Sequence, residues 1–417
     1  MEKNLKCALY FTLCICAGVN LFAYTAYFSD FTNSKVVAVN TVDNSIITTI
    51  PDISSPAYIA ITPNSYYLYA SSLLENLITV IDTYTNSSIA TIYDVNYIQS
   101  PRGIAASPDG ESIYVTNLSS DYVGIISTST NTVTSQIYIG APTSNIAINP
   151  QGTIAYIYTQ YNPSDPTHGI FTVVDLLTNL TISTIETGTG INNLIFSTDG
   201  TKVYAADFEN NRVIVYDVLM STAPVYIPVG SSPSYISTTT NGEFLYVANY
   251  NSNNVSVINA ASQTVIGSPI PVGINPSAIA ITPDGVVAYT ANEGSGTTSV
   301  IATSNNIVTE TLDLSASSFS VVVTPLSTPR SLSGLKMKNS FGVRYELYNY
   351  LSWTPSNSEE TTGYNIYRNG TLIGSTSGIN ETTFSDHNQE KGTSFEYSVK
   401  SKANNDILSF PIAITVQ

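Results

Sequence analysis

Hydrophobic and polar residues repeat along the first three quarters of the chain with a period of about 43 residues. Each repeat has an apolar stretch, a turn rich in Pro, Asp, Asn and Gly, and a segment centred on a tyrosine. The recurring tyrosines are Tyr27, Tyr69, Tyr114, Tyr156, Tyr204, Tyr246 and Tyr289. The turns before the later six are 62–65, 107–110, 149–152, 197–200, 239–242 and 282–285. Because Asp-Gly and Asn-Gly readily adopt positive φ, these turns predict tight hairpins.

Two more alternating segments follow each tyrosine. Residues 79–82 and 214–217 are examples of the first, and residues 132–139 and 264–272 of the second. Period-2 alternation in Val, Ile, Thr and Tyr between turns predicts β-strands. Four short strands per repeat are typical of a β-propeller blade, whereas helical repeats of similar length would show a period of 3.6.

The two ends of the repeat array complement each other. The last repeat reaches residues 319–325 and stops before its turn, while the N-terminal region supplies strand-like segments at 26–28, 35–40 and 45–50. One C-terminal and three N-terminal strands would form a composite blade, which closes the ring and removes exposed sheet edges. We therefore predict a seven-bladed β-propeller over residues 24–326.

The composition changes after Pro325. Residues 327–417 carry eight basic and eight acidic residues, whereas residues 24–326 carry four basic and 21 acidic ones. Strand-like segments continue at 350–353, 363–368, 371–375, 382–385, 394–401 and 411–416. We predict a linker near residues 326–332 and a second all-β domain over residues 327–417, with Trp353 in its second strand.

The first 23 residues have the pattern of a signal peptide. Two lysines precede an apolar run, residues 7–19, that is too short to span a bilayer. We predict cleavage near Ala23; a retained N-terminal anchor and a lipid-modified Cys16 are the alternatives. All three cysteines lie in this leader, so the mature chain would contain neither disulfides nor thiolate metal sites.

Charge and composition narrow the functional classes. The chain has 14 basic and 30 acidic residues, a net charge of −16. This argues against nucleic-acid binding, which needs clustered Lys and Arg. Only two histidines are present, and the sequence has no Gly-x-Ser-x-Gly, His-Glu-x-x-His or Walker motif. We expect no cofactor, no metal and no catalytic residues of these familiar types.

Three short segments carry a family resemblance. Residues 114–117 read Tyr-Val-Thr-Asn, and residues 246–249 and 289–292 are close variants. The repeat region thus resembles the YVTN-family β-propellers of bacterial and archaeal surface-layer-like proteins. By analogy with WD-type repeats, the strand before each Asp-Gly turn would be the innermost and would line the channel. The propeller fold leaves the function open, since propellers host both enzymes and binding scaffolds.

The C-terminal region carries a second resemblance. The surroundings of Trp353 and the segment 364–368 resemble a fibronectin type III module, an immunoglobulin-like β-sandwich. The family's corner tyrosine aligns with Phe395, which predicts a looser corner in this chain. The predicted fold class is therefore all-β: a seven-bladed propeller followed by an immunoglobulin-like sandwich.

Residues just before the inner strands should converge at one mouth of the channel. They are Tyr58, Arg102, Asn145, Asn193, Tyr235, Ala278 and Ser320. We expect Arg102, their only cation, to form a salt bridge with a nearby acid; the binding of a substrate carboxylate is the alternative. His168, in a loop insertion on the same face, is expected to be solvated, with a functional role as the alternative. The predicted ligand-binding residues are Tyr58, Arg102, Asn145, His168, Asn193 and Tyr235.

These observations predict a non-enzymatic binding protein, secreted, periplasmic or on the cell surface. Its acidic, polar propeller would contact proteins or glycans through hydrogen bonding and stacking. The alternative is a lactonase-like or lyase-like enzyme acting on small carbonyl compounds at the channel mouth, with Arg102, His168 and nearby acids; a subunit of an exported complex is a third. We expect a monomer that contacts membranes only through an uncleaved leader.

Overall fold

The computed structural model describes most of the chain after residue 23. The described residues are 24–159, 169–188, 190–219, 222–315, 317–325, 332–341, 344–356, 361–387, 394–403, 409 and 412–416. The predicted signal peptide, residues 1–23, and His168 lie outside them. Every regular element in the described residues is a β-strand, which confirms the all-β prediction.

Seven four-stranded antiparallel sheets, the blades, occupy residues 25–323. The closing blade comprises β1 (Thr25–Asp30), β2 (Lys35–Asn40), β3 (Ile46–Ile50) and, from the far end of the array, β28 (Ser318–Val323). Blade 1 comprises β4 (Pro56–Ile61), β5 (Tyr67–Ser72), β6 (Leu77–Asp82) and β7 (Ser87–Tyr93). Blade 2 comprises β8 (Pro101–Ala106), β9 (Ser112–Asn117), β10 (Tyr122–Ser127) and β11 (Thr132–Tyr138). Blade 3 comprises β12 (Asn145–Ile148), β13 (Ile154–Thr159), β14 (Ile170–Asp175) and β15 (Leu180–Glu186).

The remaining three blades follow the same order. Blade 4 comprises β16 (Ile191–Phe196), β17 (Lys202–Asp207), β18 (Arg212–Asp217) and β19 (Val225–Pro228). Blade 5 comprises β20 (Pro233–Thr238), β21 (Phe244–Asn249), β22 (Asn254–Asn259) and β23 (Thr264–Pro271). Blade 6 comprises β24 (Pro276–Ile281), β25 (Val287–Asn292), β26 (Thr297–Ala302) and β27 (Ile307–Asp313). The first strand of each blade, or β28 in the closing blade, lies beside its counterparts in both neighbouring blades, so these inner strands surround the channel.

The ring closes by pairing of its two ends, as the sequence predicts. β1 pairs with β28 in antiparallel register, with Ala26 opposite Val323 and Phe28 opposite Val321. Thr25 N donates to Thr324 Oγ1 at 2.9 Å, and Thr324 N donates to Thr25 O at 2.9 Å. The composite blade therefore leaves neither β1 nor β28 unpaired.

The recurring tyrosines tie neighbouring blades together. All seven are buried, and four donate their hydroxyl to an asparagine in a hairpin of the next blade. The pairs are Tyr27–Asn86, Tyr69–Asn131, Tyr246–Asn306 and Tyr289–Asn44, with O···O distances of 2.6–2.7 Å. Each of these asparagines has positive φ, which Asn tolerates better than most residues. The tyrosine repeat thus has a structural role.

The two ends of the channel differ in which connections they carry. The Asp-Gly and Asn-Gly turns and the third-to-fourth-strand hairpins lie at one end, which we call the turn face. Glycine at the turn has φ between 70° and 77° in five blades, as predicted. The opposite end, the mouth face, carries the starts of the inner strands and the loops between second and third strands.

The region after residue 331 forms two further sheets. One contains β29 (Leu332–Phe341), β30 (Arg344–Trp353) and β33 (Thr383–Asp386). The other contains β31 (Gly363–Arg368), β32 (Thr371–Ser375), β34 (Phe395–Lys402) and β35 (Ile412–Val416). Their shared core includes Trp353 and Tyr364, whose rings meet edge to face at 5.3 Å.

Two tyrosines of these sheets hydrogen-bond through their hydroxyl groups. Tyr364 OH accepts from Ser356 N at 2.9 Å and donates to Ile379 O at 3.0 Å. Tyr397 OH donates to Asp386 Oδ2 at 2.6 Å. The looser corner at Phe395 stays a prediction.

Candidate functional site

The inner strands begin with an irregularity that turns side chains into the channel mouth. In blades 1, 2, 4, 5 and 6 the pairing register between the inner and second strands shifts within the first few residues. The residue before each of these strands has positive φ; these residues are Ser55, Ser100, Gly190, Ser232 and Asn275. Such a β-bulge leaves a residue unpaired and redirects its side chain.

These redirected side chains line a cavity of about 430 Å³, the mouth pocket. Its walls from the inner strands are Tyr58, Arg102, Ile191, Asn192, Ser234, Ser277 and Phe319. The loops of blades 4, 5 and 6 on the mouth face add Phe208, Glu209, Tyr250 and Glu293, and Gly190 also lines the pocket. Its described lining therefore combines one cation, two carboxylates and four aromatic rings, in a volume suited to a small ligand.

Arg102 reaches across the mouth from blade 2. Its Nη2 donates to Asn192 Oδ1 of blade 4 at 2.6 Å and to Tyr58 OH of blade 1 at 3.3 Å. The half-buried guanidinium also lies 5.6 Å from the centre of the Tyr58 ring. The predicted salt bridge of Arg102 is wrong among the described residues, whose ion pairs do not include it. The guanidinium instead bonds the neutral side-chain amide of Asn192.

A second cavity of about 260 Å³, the lower channel, brings together Tyr58, Asn145, Asn193 and Tyr235. Asn145 Nδ2 donates to Asn192 O at 2.8 Å, and Asn193 Oδ1 accepts from Ile236 N at 3.0 Å. Burial, together with the nearby Tyr58 hydroxyl, raises the pKa of Tyr235 to about 12. These amides thus join neighbouring inner strands, and Tyr58 belongs to both cavities.

Two residues expected at the mouth have other positions. Ala278 is fully buried in the apolar core between blade 6 and the closing blade. Ser320 is buried, and its N donates to Ser29 Oγ at 2.9 Å. Both therefore serve the packing of the ring, because the bulge directs the preceding residues, Ser277 and Phe319, into the pocket instead.

The most perturbed carboxylate of the pocket is Glu293, at the start of the loop after β25. Burial raises its pKa above the ordinary value, and a hydrogen bond with Tyr250 partly offsets this effect. Burial and the neighbouring Glu293 in turn raise the pKa of Tyr250. Glu209, on the adjoining loop of blade 4, is exposed and lies over Gly190. A half-buried carboxylate with a raised pKa is well placed to accept and return a proton.

Of the six predicted ligand-binding residues, Arg102 lines the mouth pocket, Asn145, Asn193 and Tyr235 line the lower channel, Tyr58 lines both, and His168 lies outside the described residues. Sequence reasoning missed Asn192, Ser234, Ser277, Glu209 and Glu293. One signal was available for four of the inner-strand starts. Ser-Pro recurs at 55–56, 100–101 and 232–233, and Asn-Pro at 275–276, which marks the residue after the proline as equivalent from blade to blade.

Across the described ranges, no three His, Cys, Asp or Glu side chains come together as metal ligands. Nor does that part of the chain contain a helix long and apolar enough to cross a bilayer.

Comparison with known proteins adds the family. The model described as "Lactonase, 7-bladed beta-propeller" matches residues 9–138 and 179–275, more than half of the chain. No curated protein matches. Among solved structures, hydrazine synthase of Kuenenia stuttgartiensis superposes with a TM-score of 0.61 at 17% identity, covering 67% of this chain and 92% of that one. A protein of unknown function from Desulfotomaculum acetoxidans DSM 771 gives 0.59 at 15% identity, covering 72% and 98%.

These comparisons bear on the two predicted functions. The similarity to the solved structures is low in sequence and therefore shows the fold alone. The family match is to a group named for an enzyme activity, and it gives the non-enzymatic interpretation no support. It favours the enzyme alternative.

Proposed function

We propose a lactonase activity for this chain, which belongs to the seven-bladed lactonase β-propeller family. The observation that carries the proposal is the content of the mouth pocket. Arg102, which forms no ion pair with a described carboxylate, shares the cavity with Glu293, whose pKa is raised. An available positive charge and a proton acceptor are the two groups that hydrolysis of a cyclic ester requires.

The proposed reaction uses water as the nucleophile. Glu293, as the carboxylate, takes a proton from a water molecule while the water oxygen adds to the lactone carbonyl carbon. The carbonyl oxygen gains negative charge, and the guanidinium of Arg102 stabilises it by hydrogen bonding. The ring C–O bond then breaks, and the leaving alkoxide receives the proton from Glu293. The product is a hydroxycarboxylic acid, and both residues return to their starting states.

The aromatic residues of the pocket suit a compact ring. Phe208 and Tyr250 lie close together, with ring centres 6.2 Å apart, and Phe319 and Tyr58 also line the cavity. Aromatic faces pack against the C–H faces of a ring, while Asn192 and the pocket serines offer polar contacts to its substituents. Small lactones, with or without hydroxyl substituents, are therefore the proposed substrates.

Acid release from lactones tests this proposal directly. Residues 24–417 would be assayed at constant pH with γ-butyrolactone, δ-valerolactone and D-glucono-δ-lactone. We expect Glu293→Gln to lower kcat at least about a hundredfold, because the amide cannot accept the proton. Glu186→Gln, at an exposed position on β15, is the matched control and should retain wild-type activity. Wild-type rates no faster than spontaneous hydrolysis, or a fully active Glu293→Gln variant, would refute the proposal.

We also propose that the protein acts outside the cytoplasm and that its C-terminal region is a fibronectin type III-like module. The N-terminal apolar run and the confinement of cysteine to residues 1–23 support export. The pairing of a three-stranded and a four-stranded sheet around Trp353 supports the module. Fractionation of the producing cells tests the first point; recovery of the protein from the cytoplasm alone would contradict it.

A further inference from the structure

The hydrogen bonds of Arg102 occupy only part of its guanidinium. Nη2 bonds Asn192 and Tyr58, and among the described residues no group accepts from Nε or Nη1. Arginine has five N–H donors in a planar fork that matches a carboxylate. The half-buried side chain therefore retains its charge and the Nε and Nη1 donors within the mouth pocket.

Asn192, the partner of Arg102, is itself held by hydrogen bonds to neighbouring blades. Its Nδ2 donates to Ser234 O at 3.2 Å, so its Oδ1 faces Arg102 and accepts from it at 2.6 Å. Its backbone carbonyl accepts from Asn145 Nδ2 at 2.8 Å. Asn192 is thus bonded to blades 2, 3 and 5 at once, and its amide has little freedom to rotate.

Other cations of the protein have a different kind of partner. Arg212 pairs with Asp207 at 2.7 Å, Lys35 with Asp30 at 3.5 Å and Arg368 with Asp386 at 2.8 Å. In each of these pairs the carboxylate compensates the charge. An aspartate at position 192 would have nearly the shape of asparagine but would do the same to Arg102.

We propose that Asn192 is a positioning residue that holds Arg102 in place while leaving its charge available, so that the mouth pocket selects carboxylate ligands. The inference extends the proposed function, because it adds a carboxylate, on the substrate or formed in the product, to the groups that the pocket recognises. A fixed guanidinium that pairs with no described carboxylate offers charge-assisted hydrogen bonds to a carboxylate ligand, and a neutral analogue receives weaker ones.

Binding measurements test this without turnover. Gluconate and 4-hydroxybutyrate would be titrated by calorimetry into the full mature chain, each beside its neutral amide. We expect wild type to bind the acids at least tenfold more tightly than the amides, and Asn192→Asp to abolish that preference. Asn192→Ala should weaken the binding of both acids. Unlike the aspartate variant, it should recover part of the preference for acids over amides at low salt, where charge contacts are least screened.

Asn241→Asp is the matched charge control. Asn241 lies in the turn of blade 5 on the opposite face, where blade 6 has Asp284 in the same hydrogen-bonding position. The Asn241→Asp variant should bind gluconate, 4-hydroxybutyrate and their two amides with wild-type affinity. Equal wild-type affinity for acids and amides, no binding of any probe, or unchanged selectivity in Asn192→Asp would overturn the inference. If one of these results is found but the protein hydrolyses lactones, only the inference about Asn192 is refuted. If the protein selects acids over amides but does not hydrolyse lactones, only the proposed lactonase function is refuted.

Discussion

The turn face and the mouth face of the propeller are built from the same repeats, yet their residue types repeat to different extents. In five turns a Ser or Thr hydroxyl donates to the Asp or Asn two residues later, at 2.5–2.7 Å. At the mouth face the β-bulge recurs, but the equivalent inner-strand positions hold an arginine, an asparagine, two serines and a phenylalanine: Arg102, Asn192, Ser234, Ser277 and Phe319.

This difference separates stability from chemistry. The turn face repeats one local solution that sets hairpin register and joins blades through tyrosine hydroxyls, so changes there should act on folding. The mouth face presents side chains that differ between most blades on the same rigid scaffold, so changes there should act on ligand binding. Each prediction below tests that separation.

Deletion of residues 24–51 should have the largest effect. It removes three of the four strands of the closing blade and exposes the edges of β28 and of the neighbouring blades. We expect aggregation or loss of the cooperative unfolding transition, measured by light scattering and circular dichroism. A monomeric variant with unchanged Tm would show that ring closure contributes little to stability.

Arg102→Met should have the largest effect on chemistry. The substitution keeps the length and apolar stem of the side chain but removes the charge, so we expect kcat/KM for lactones to fall about a hundredfold or more. The Tm should stay close to that of wild type, because the lost hydrogen bonds face a solvated pocket. A large fall in Tm would mean that the mouth face also holds the ring together.

Tyr246→Phe tests the opposite face. The variant loses the hydrogen bond from the buried tyrosine to Asn306, and we expect the free energy of unfolding to decrease by about 1 kcal/mol with kcat/KM unchanged. Tyr93→Phe, at a tyrosine that is 64% exposed, should have no effect on either quantity. A loss of activity in Tyr246→Phe without a loss of stability would contradict the separation.

Glu293→Gln should give a smaller, pH-dependent gain in stability. Because its pKa is raised in the folded protein, the folded state binds more protons than the unfolded state, and stability from this group falls as pH rises through the folded value. The variant should therefore have a higher Tm than wild type at neutral pH. The difference should disappear at acidic pH, where Glu293 is protonated in both states.

Removal of residues 327–417 should have the smallest effect on the propeller. The blades are complete without this region, although Tyr24 and Val323 pack against Ala403. We expect cooperative unfolding, with lactone kinetics unchanged. Loss of activity would indicate that the C-terminal sheets contribute to the mouth face.

The sequence predicted the ring better than the pocket. Period-2 alternation and Gly turns specify strands and hairpins locally, and the incomplete last repeat revealed the pairing of β1 with β28. The β-bulges are not visible in that alternation, so Arg102 was grouped with Tyr58, although its neighbour Gly103 is the residue that corresponds to Tyr58. Glu293 was missed because its character comes from burial next to Tyr250, which depends on packing between distant loops.

Both ends of the propeller lie on the turn face. β1 begins there at Thr25, and the chain leaves β28 for Pro325, whose carbonyl accepts from Ser65 Oγ in the turn of blade 1 at 2.8 Å. A tether attached through either end would therefore hold the propeller by its turn face. The opening of the mouth pocket would point away from the support, towards whatever diffuses in from solution.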